Sequence, residues 1–217
     1  MKNTKHKKKY SLEQLLDKIP SHFQNQKLSM TNQSKKTGKT IVLGVCGGIA
    51  AYKACEVARL LIKSGHSVHV MMTKAATEFV TPLTFQALTG NPVATDLFSL
   101  TQESQIGHIQ LADKADVVLI APATANMIAK AAYGLCDDIV STVLLATKAP
   151  IVFAPSMNVN MWENPITQEN IARLRKLGRT IIDPDSGFLA CGWEGKGRLA
   201  EPEAIVKAVH VLLKIKA

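Results

Sequence analysis

Aromatic residues are scarce in this chain, at 5% of its 217 positions. With 47% of residues hydrophobic, the core must be aliphatic, and the length suits one well-buried domain with a tail. Long apolar runs are missing too. No stretch reaches the roughly 18 apolar residues that a membrane-spanning helix needs. The basic start, MKNTKHKKKYSLEQ, has no apolar segment after it and does not read as a secretory signal. The four cysteines, Cys46, Cys55, Cys136 and Cys191, show neither a Cys-x-x-Cys spacing nor a histidine at zinc-ligand spacing. They read as reduced thiols of a cytoplasmic protein without a metal site.

A net charge of +9 suggests a nucleic-acid partner until the charge is located. Residues 1–40 hold ten lysines against Glu13 and Asp17, a net of +8 that leaves +1 for the rest. The body is therefore close to neutral, and neither nucleic acid nor membrane is expected as a partner. The basic character belongs to residues 1–38, which read as a solvated, disordered extension. Ser11 and Gln14 fit a capping box for one or two amphipathic turns there, and Met30 is an alternative start. The extension has no arginine, which argues against a transit peptide.

Residues 39–217 alternate between strand and helix patterns. TIVLGV (40–45), HSVHVMMT (66–73), DVVLIAPATA (116–125), PIVFAPSMN (150–158) and TIIDP read as strands. Helical spacing, with proline near the start or glycine at the end, marks 50–65, 81–90, 165–178 and 201–216, and two more helices fall between residues 125 and 147. Near-continuous apolar strands alternating with helices predict an α/β fold, a three-layer flavodoxin- or Rossmann-like parallel sheet with helices on both faces. Ligands of such sheets sit in the loops at the strands' carboxyl ends.

The first such loop, GVCGGIAAYK, places Gly47 and Gly48 at the opening of a helix, where backbone can approach a phosphate. Its spacing is not G-x-G-x-x-G, and the second strand ends in Thr73 rather than in an acid that would hold a ribose. Both departures point away from NAD, and a flavin mononucleotide fits better. Ala123-Thr124-Ala125-Asn126 suits hydrogen bonding to a flat polar ring, or simply a helix cap at Thr124. Asn158, after the fourth strand, offers N–H donors that could hold a carboxylate without the grip of an arginine; it equally suits an Asx-turn. His108 follows Gly107 and precedes Ile109, Leu111 and Ala112, a pattern that opens a helix. A neutral histidine is a competent base near pH 7. His66, His69 and His210 are weaker candidates. DSGFLACGWEGKGRLAEP, too glycine-rich for a helix interior or a buried strand, reads as a mobile loop carrying Cys191.

VLGVCGGIAAYK, MTKAATEFVTPLTFQALTG, GHIQLADKADVVLIAPATAN, APSMNVNMW and ACGWEGKGRLAEP follow the order seen in phosphopantothenoylcysteine decarboxylases, members of the flavin-dependent cysteine decarboxylase family. The resemblance covers about residues 39–215, and its P-x-M-N and A-C-G-x-x-G-x-G-R motifs are its specific part. It implies FMN held by Gly47, Gly48, Ile49, Thr73, Thr84, Thr124, Ala125, Asn126 and Ser156. It implies a catalytic His108, an Asn158 that binds the substrate carboxylate, and Cys191 as proton donor in the last step. Gly192 and Arg198 would lie with the substrate, Arg198 either on its phosphate or in closing the loop. Relatives assemble as trimers, sometimes four together, with the active site at a subunit contact. Ser156 departs from the alanine of many decarboxylases, a small change.

The implied chemistry uses each residue type. Direct loss of CO2 from a cysteine leaves an unstabilised carbanion, whereas oxidation of its CH2–S unit to a thioaldehyde creates an electron acceptor. The product is an ene-thiol, and a returned hydride with a proton from Cys191 gives 4′-phosphopantetheine. The chain ends at Ala217, so the ligase fused to many bacterial relatives is expected as a separate protein. Alternatives are a peptide cysteine decarboxylase, which stops at the ene-thiol and lacks the loop cysteine, or a non-catalytic FMN-binding regulatory protein. Flavin prenyltransferases lack P-x-M-N, and flavodoxin-like carriers lack the cysteine loop.

Overall fold

A computed structural model describes residues 38–98, 107–188 and 192–214. The extension, with its Ser11–Gln14 turn, lies outside the described residues apart from Gly38. Five parallel strands, β1 (Thr40–Val45), β2 (Ser67–Met72), β3 (Val117–Ala123), β4 (Ile151–Pro155) and β5 (Thr180–Ile181), form one sheet in the order β2-β1-β3-β4-β5. This is the three-layer, flavodoxin-like parallel sheet that the strand–helix alternation predicts.

Both faces of the strands are buried, which is why they read as continuous apolar runs rather than alternating ones. Ile41, Leu43, Val117, Leu119 and Val152 point to one core, packed by α1 (Ala51–Lys63), α2 (Pro82–Thr89) and α8 (Pro202–Leu212). Val42, Val118, Ile120, Ile151 and Phe153 point to the other. That second core is covered by α3 (Gly107–Lys114), α4 (Ala125–Tyr133), α5 (Ile139–Ala146) and α7 (Pro165–Lys176). A short α6 (Val159–Glu163) follows β4 directly.

Helix ends fall where local chemistry puts them. Thr124 caps α4 by accepting from the Met127 N–H at 3.3 Å, and Asn164 caps α7 by accepting from Ile166 N–H at 2.9 Å. Asp138 and Ser141 form a reciprocal capping box on α5. Gly90 and Gly134 stop α2 and α4 in the left-handed region, at φ 70° and 74°.

The loop expected at 185–202 departs from the sequence reading. Asp185–Phe188 (β6) and Glu194–Arg198 (β7) pair as an antiparallel hairpin. Ladder hydrogen bonds use only backbone, so low side-chain content did not prevent pairing. Glycine instead lets the hairpin lie close to the molecule: a Cβ on Gly197 would stand 2.3 Å from the Met157 carbonyl oxygen, and one on Gly195 would stand 2.8 Å from Val159.

Leu119 is wholly buried in the central strand. Leu119→Ala should lower the unfolding free energy by about 2–5 kcal/mol, a large part of a typical total of about 5–15 kcal/mol. Urea unfolding would measure it, and a loss under about 1 kcal/mol would contradict this packing.

Candidate functional site

Backbone hydrogen bonds join the loops at the carboxyl edge of the sheet. Cys46 N–H donates to the Pro122 carbonyl at 3.3 Å, Ser156 N–H to that of Ala123 at 3.0 Å, and Met157 N–H to that of Gly197 at 3.0 Å. Between these loops lies a cavity of about 290 Å³. It opens where β1 and β3 are neighbours and the sheet order reverses, the place where open α/β sheets bind ligands.

The glycine turn forms one wall, and its two glycines have different tasks. A Cβ on Gly47 would come within 2.4 Å of the Ala75 Cβ and 2.7 Å of its carbonyl carbon, so Gly47 lets the turn press on the 3-10 turn Lys74–Glu78. A Cβ on Gly48 would meet no atom within 4 Å, and Gly48 lines the cavity. The bare backbone there leaves room for a ligand. Helix α1 begins just beyond. No side chain caps it and no acid occupies its first turn, so the positive end of its dipole is open to an anion.

The other walls are Pro122, Thr124 and Ala125 after β3, and Ser156, Met157, Asn158 and Met161 after β4. Among the described residues, no ionisable side chain lines the cavity. An apolar slot with a few neutral hydrogen-bonding groups and an anion-accepting helix start fits a flat heterocycle bearing a phosphate, as in a flavin nucleotide. Asn158 caps α6, its Oδ1 accepting from the Asn160 N–H at 2.8 Å, which fixes the amide. Cys46 lies behind the glycine turn. Burial pushes its thiol up to about 12, more than hydrogen bonding to Thr124 lowers it, so this cysteine stays protonated and unreactive.

Gly47, Gly48, Ile49, Thr124, Ala125, Ser156 and Asn158 thus meet around one cavity. The remaining expected residues do not line it. Thr73 is tied to the end of β1 through its N–H and Val45, at 3.0 Å, and its hydroxyl accepts from the Ala76 N–H at 3.2 Å. Thr84 is exposed on α2, its hydroxyl 3.3 Å from that of Thr81, and Asn126 is exposed on α4. Gly192 is exposed beside β7, which contains Arg198. Cys191 lies outside the described residues. His108 stands in the first turn of α3, which leads into β3, so it belongs to the same edge of the sheet. Its Nδ1 is buried with no hydrogen-bond partner among the described residues. His66 and His210 pair elsewhere, Nε2 to Nε2 at 3.0 Å, with His66 Nδ1 accepting from the Lys39 N–H.

Sequence reasoning missed four lining residues: Ala50, Pro122, Met157 and Met161. The methionines carried a signal, since they stand four apart in SMNVNMW, the spacing of one helix face.

Residues 29–214 match the family model named Flavoprotein. The chain is 51% identical over 175 residues to the coenzyme A biosynthesis bifunctional protein CoaBC of Haemophilus influenzae, covering 81% of this chain and 44% of that protein. It is 50% identical over 169 residues to the Bacillus subtilis protein of the same name, covering 78% and 42%. It therefore spans less than half the length of these curated relatives. Among solved structures, a PPC decarboxylase mutant complexed with pantothenoylaminoethenethiol superposes with a TM-score of 0.74 at 30% identity, covering 82% of this chain and 99% of that one. The FMN binding protein AtHal3 gives 0.72 at 31% identity, covering 82% and 98%. The FMN-dependent cysteine decarboxylase SpaF gives 0.69 at 32%, covering 81% and 97%.

Because a Cβ on Gly48 points into open space, Gly48→Val should leave the fold nearly untouched and fill the cavity. We expect flavin affinity to fall by about tenfold or more, with unfolding free energy changed by no more than about 0.5 kcal/mol. Equal flavin uptake by variant and parent would remove the glycine turn from the site.

Proposed function

The chain belongs to the flavoprotein family, and from that premise we propose that it is an FMN-dependent decarboxylase acting on 4′-phosphopantothenoylcysteine to give 4′-phosphopantetheine in coenzyme A biosynthesis. The observation that carries this reading is the uncharged cavity at the β1–β3 junction, with an uncapped helix start on one wall and Asn158 on another. The likeness to bifunctional coenzyme A biosynthesis proteins and to a PPC decarboxylase supports the choice of substrate. Residues 39–217 are taken as the decarboxylase domain and residues 1–38 as an extension to it.

The amides of Gly47, Gly48 and Ile49 and the start of α1 would hold the cofactor phosphate. Ile49, Pro122 and Met157 supply apolar surface for the ring, and Thr124, Ala125, Asn126 and Ser156 supply polar contacts along its edge. Thr73 and Thr84 stand outside the cavity lining and would reach the cofactor only from the β2 side. A bound flavin would supply reversible two-electron chemistry at the substrate CH2–S unit, with no net redox change over the cycle. His108, whose buried Nδ1 has no hydrogen-bond partner among the described residues, takes the proton released from the substrate thiol. The neutral Asn158 amide positions the carboxylate without opposing its departure as an arginine would. Cys191 supplies from its Sγ the proton that converts the ene-thiol into the saturated thiol. Gly192 lets the chain turn beside it, at φ 82°.

Ile49 is 58% exposed, Phe188 73% and Trp193 55% in the single chain. Large apolar side chains this open suit a subunit contact, and we propose a homotrimer, alone or as a dodecamer of four. The substrate is made by joining cysteine to an acid through an amide, so a ligase reaction must precede this one. The free thiols Cys46, Cys55 and Cys136 accord with a reducing cytoplasm.

Incubating the purified protein with FMN and 4′-phosphopantothenoylcysteine should yield 4′-phosphopantetheine by mass analysis. An ene-thiol as the end product would favour the peptide-decarboxylase type of cycle, and no reaction with bound FMN would favour a regulatory protein. Cys191→Ser should still release CO2 and accumulate the ene-thiol; full turnover in that variant would refute the assigned role. Asn158→Asp sets a negative charge against the substrate carboxylate and should raise KM by about tenfold or more, an outcome that near-normal kinetics would contradict.

A further inference from the structure

The motif around Cys191 ends in GRLAEP, and neither the cavity nor the proposed chemistry accounts for Arg198 or Glu201. Arg198 closes β7, and its side chain lies across β6: a Cβ on Gly187 would be 3.7 Å from Arg198 Nη1. Its Nη2 donates to Glu201 Oε1, and its Nε is buried with no partner among the described residues. Glu201 is the cap residue of α8. Its other oxygen, Oε2, accepts from Lys53 Nζ at 3.5 Å. Lys53 belongs to the first turn of α1, the helix whose start faces the cavity, and its side chain is only 18% exposed.

One carboxylate therefore joins two cations from separate parts of the fold. Arg198 comes from the hairpin whose strands flank Cys191 in the chain, and Lys53 comes from the cofactor-facing helix. Half-exposed ion pairs of this kind add little to global stability. Their effect is geometric: two contacts from one carboxylate tie the hairpin base to α1. A few residues away, the hairpin is also seated by the Met157–Gly197 backbone hydrogen bond and by the absence of a side chain on Gly197.

We infer that Glu201 is a positioning residue for the protonation step: through Arg198 and Lys53 it ties the base of the hairpin whose strands flank Cys191 in sequence to the helix that starts at the cavity. The inference rests on the decarboxylase reading above. It assigns Arg198 to anchoring the hairpin base rather than to the substrate phosphate. Loosening the clamp should leave oxidation and CO2 loss intact and impair delivery of the final proton, because only the latter depends on the hairpin.

Three measurements on the FMN-loaded full chain test it: CO2 release, the fraction of turnovers ending as ene-thiol, and hydrogen–deuterium exchange of residues 192–198. Glu201→Gln and, independently, Lys53→Met should retain FMN and keep the KM for substrate within about twofold. The ene-thiol fraction should rise severalfold, the hairpin amides should exchange faster, and Glu201→Asp should restore part of both. An unchanged ene-thiol fraction together with unchanged exchange in both variants overturns the inference. A rise in KM with an unchanged ene-thiol fraction overturns it too, returning Arg198 to the substrate phosphate. If the parent protein binds FMN yet releases no CO2, the decarboxylase reading fails by itself, and the exchange data still decide whether the clamp holds the hairpin.

Discussion

β1 and β3 lie side by side, and the chain leaves their carboxyl ends in opposite directions. From β1 it crosses toward β2, and from β3 toward β4. The two following loops therefore separate, and the space between them is the cavity. The helix starts of α1 and α4, the capping of α6 by Asn158 and the entry of α3 all come to this edge because the five strands of the main sheet are parallel. A parallel sheet must return each connection across a face, so helix starts gather at one edge. The anion-accepting character of the site follows from that arrangement.

Among the described residues, the cavity carries no charge of its own. A lysine or arginine in it would hold an anion more tightly, but under the proposed reaction would also oppose the departure of a carboxylate as CO2. Backbone amides and neutral side chains avoid this conflict. Cys46 stands beside the glycine turn yet is held protonated by burial. The β6–β7 hairpin is seated on the 156–159 loop and tied to α1 through Glu201.

Much of this was legible in the residues. Apolar strands, proline at helix starts and glycine at helix ends gave each principal element to within a few positions, because those signals are local. Gly47, Gly48, Thr124, Ser156 and Asn158 could be named since ligand loops follow strands in this class of fold. The hairpin β6–β7 was not legible. Its glycines report room for another backbone, and sequence does not reveal which backbone that is. Ala50 and Pro122 carry no chemistry-bearing group and could be found only by shape. Met157 and Met161 had helical spacing, but that spacing equally describes a buried face.

The sequence by itself determined the α/β class, the position of the glycine turn and the set of polar residues at strand ends. It did so because hydrophobic period and turn chemistry act over a few residues. Tertiary structure decided which of those residues share a cavity, that Gly47 meets Ala75 while Gly48 faces open space, and that Arg198 and Lys53 converge on Glu201. These are contacts between segments as many as 148 positions apart. Strand order and backbone approach fix them, and neither is written in any single stretch of chain.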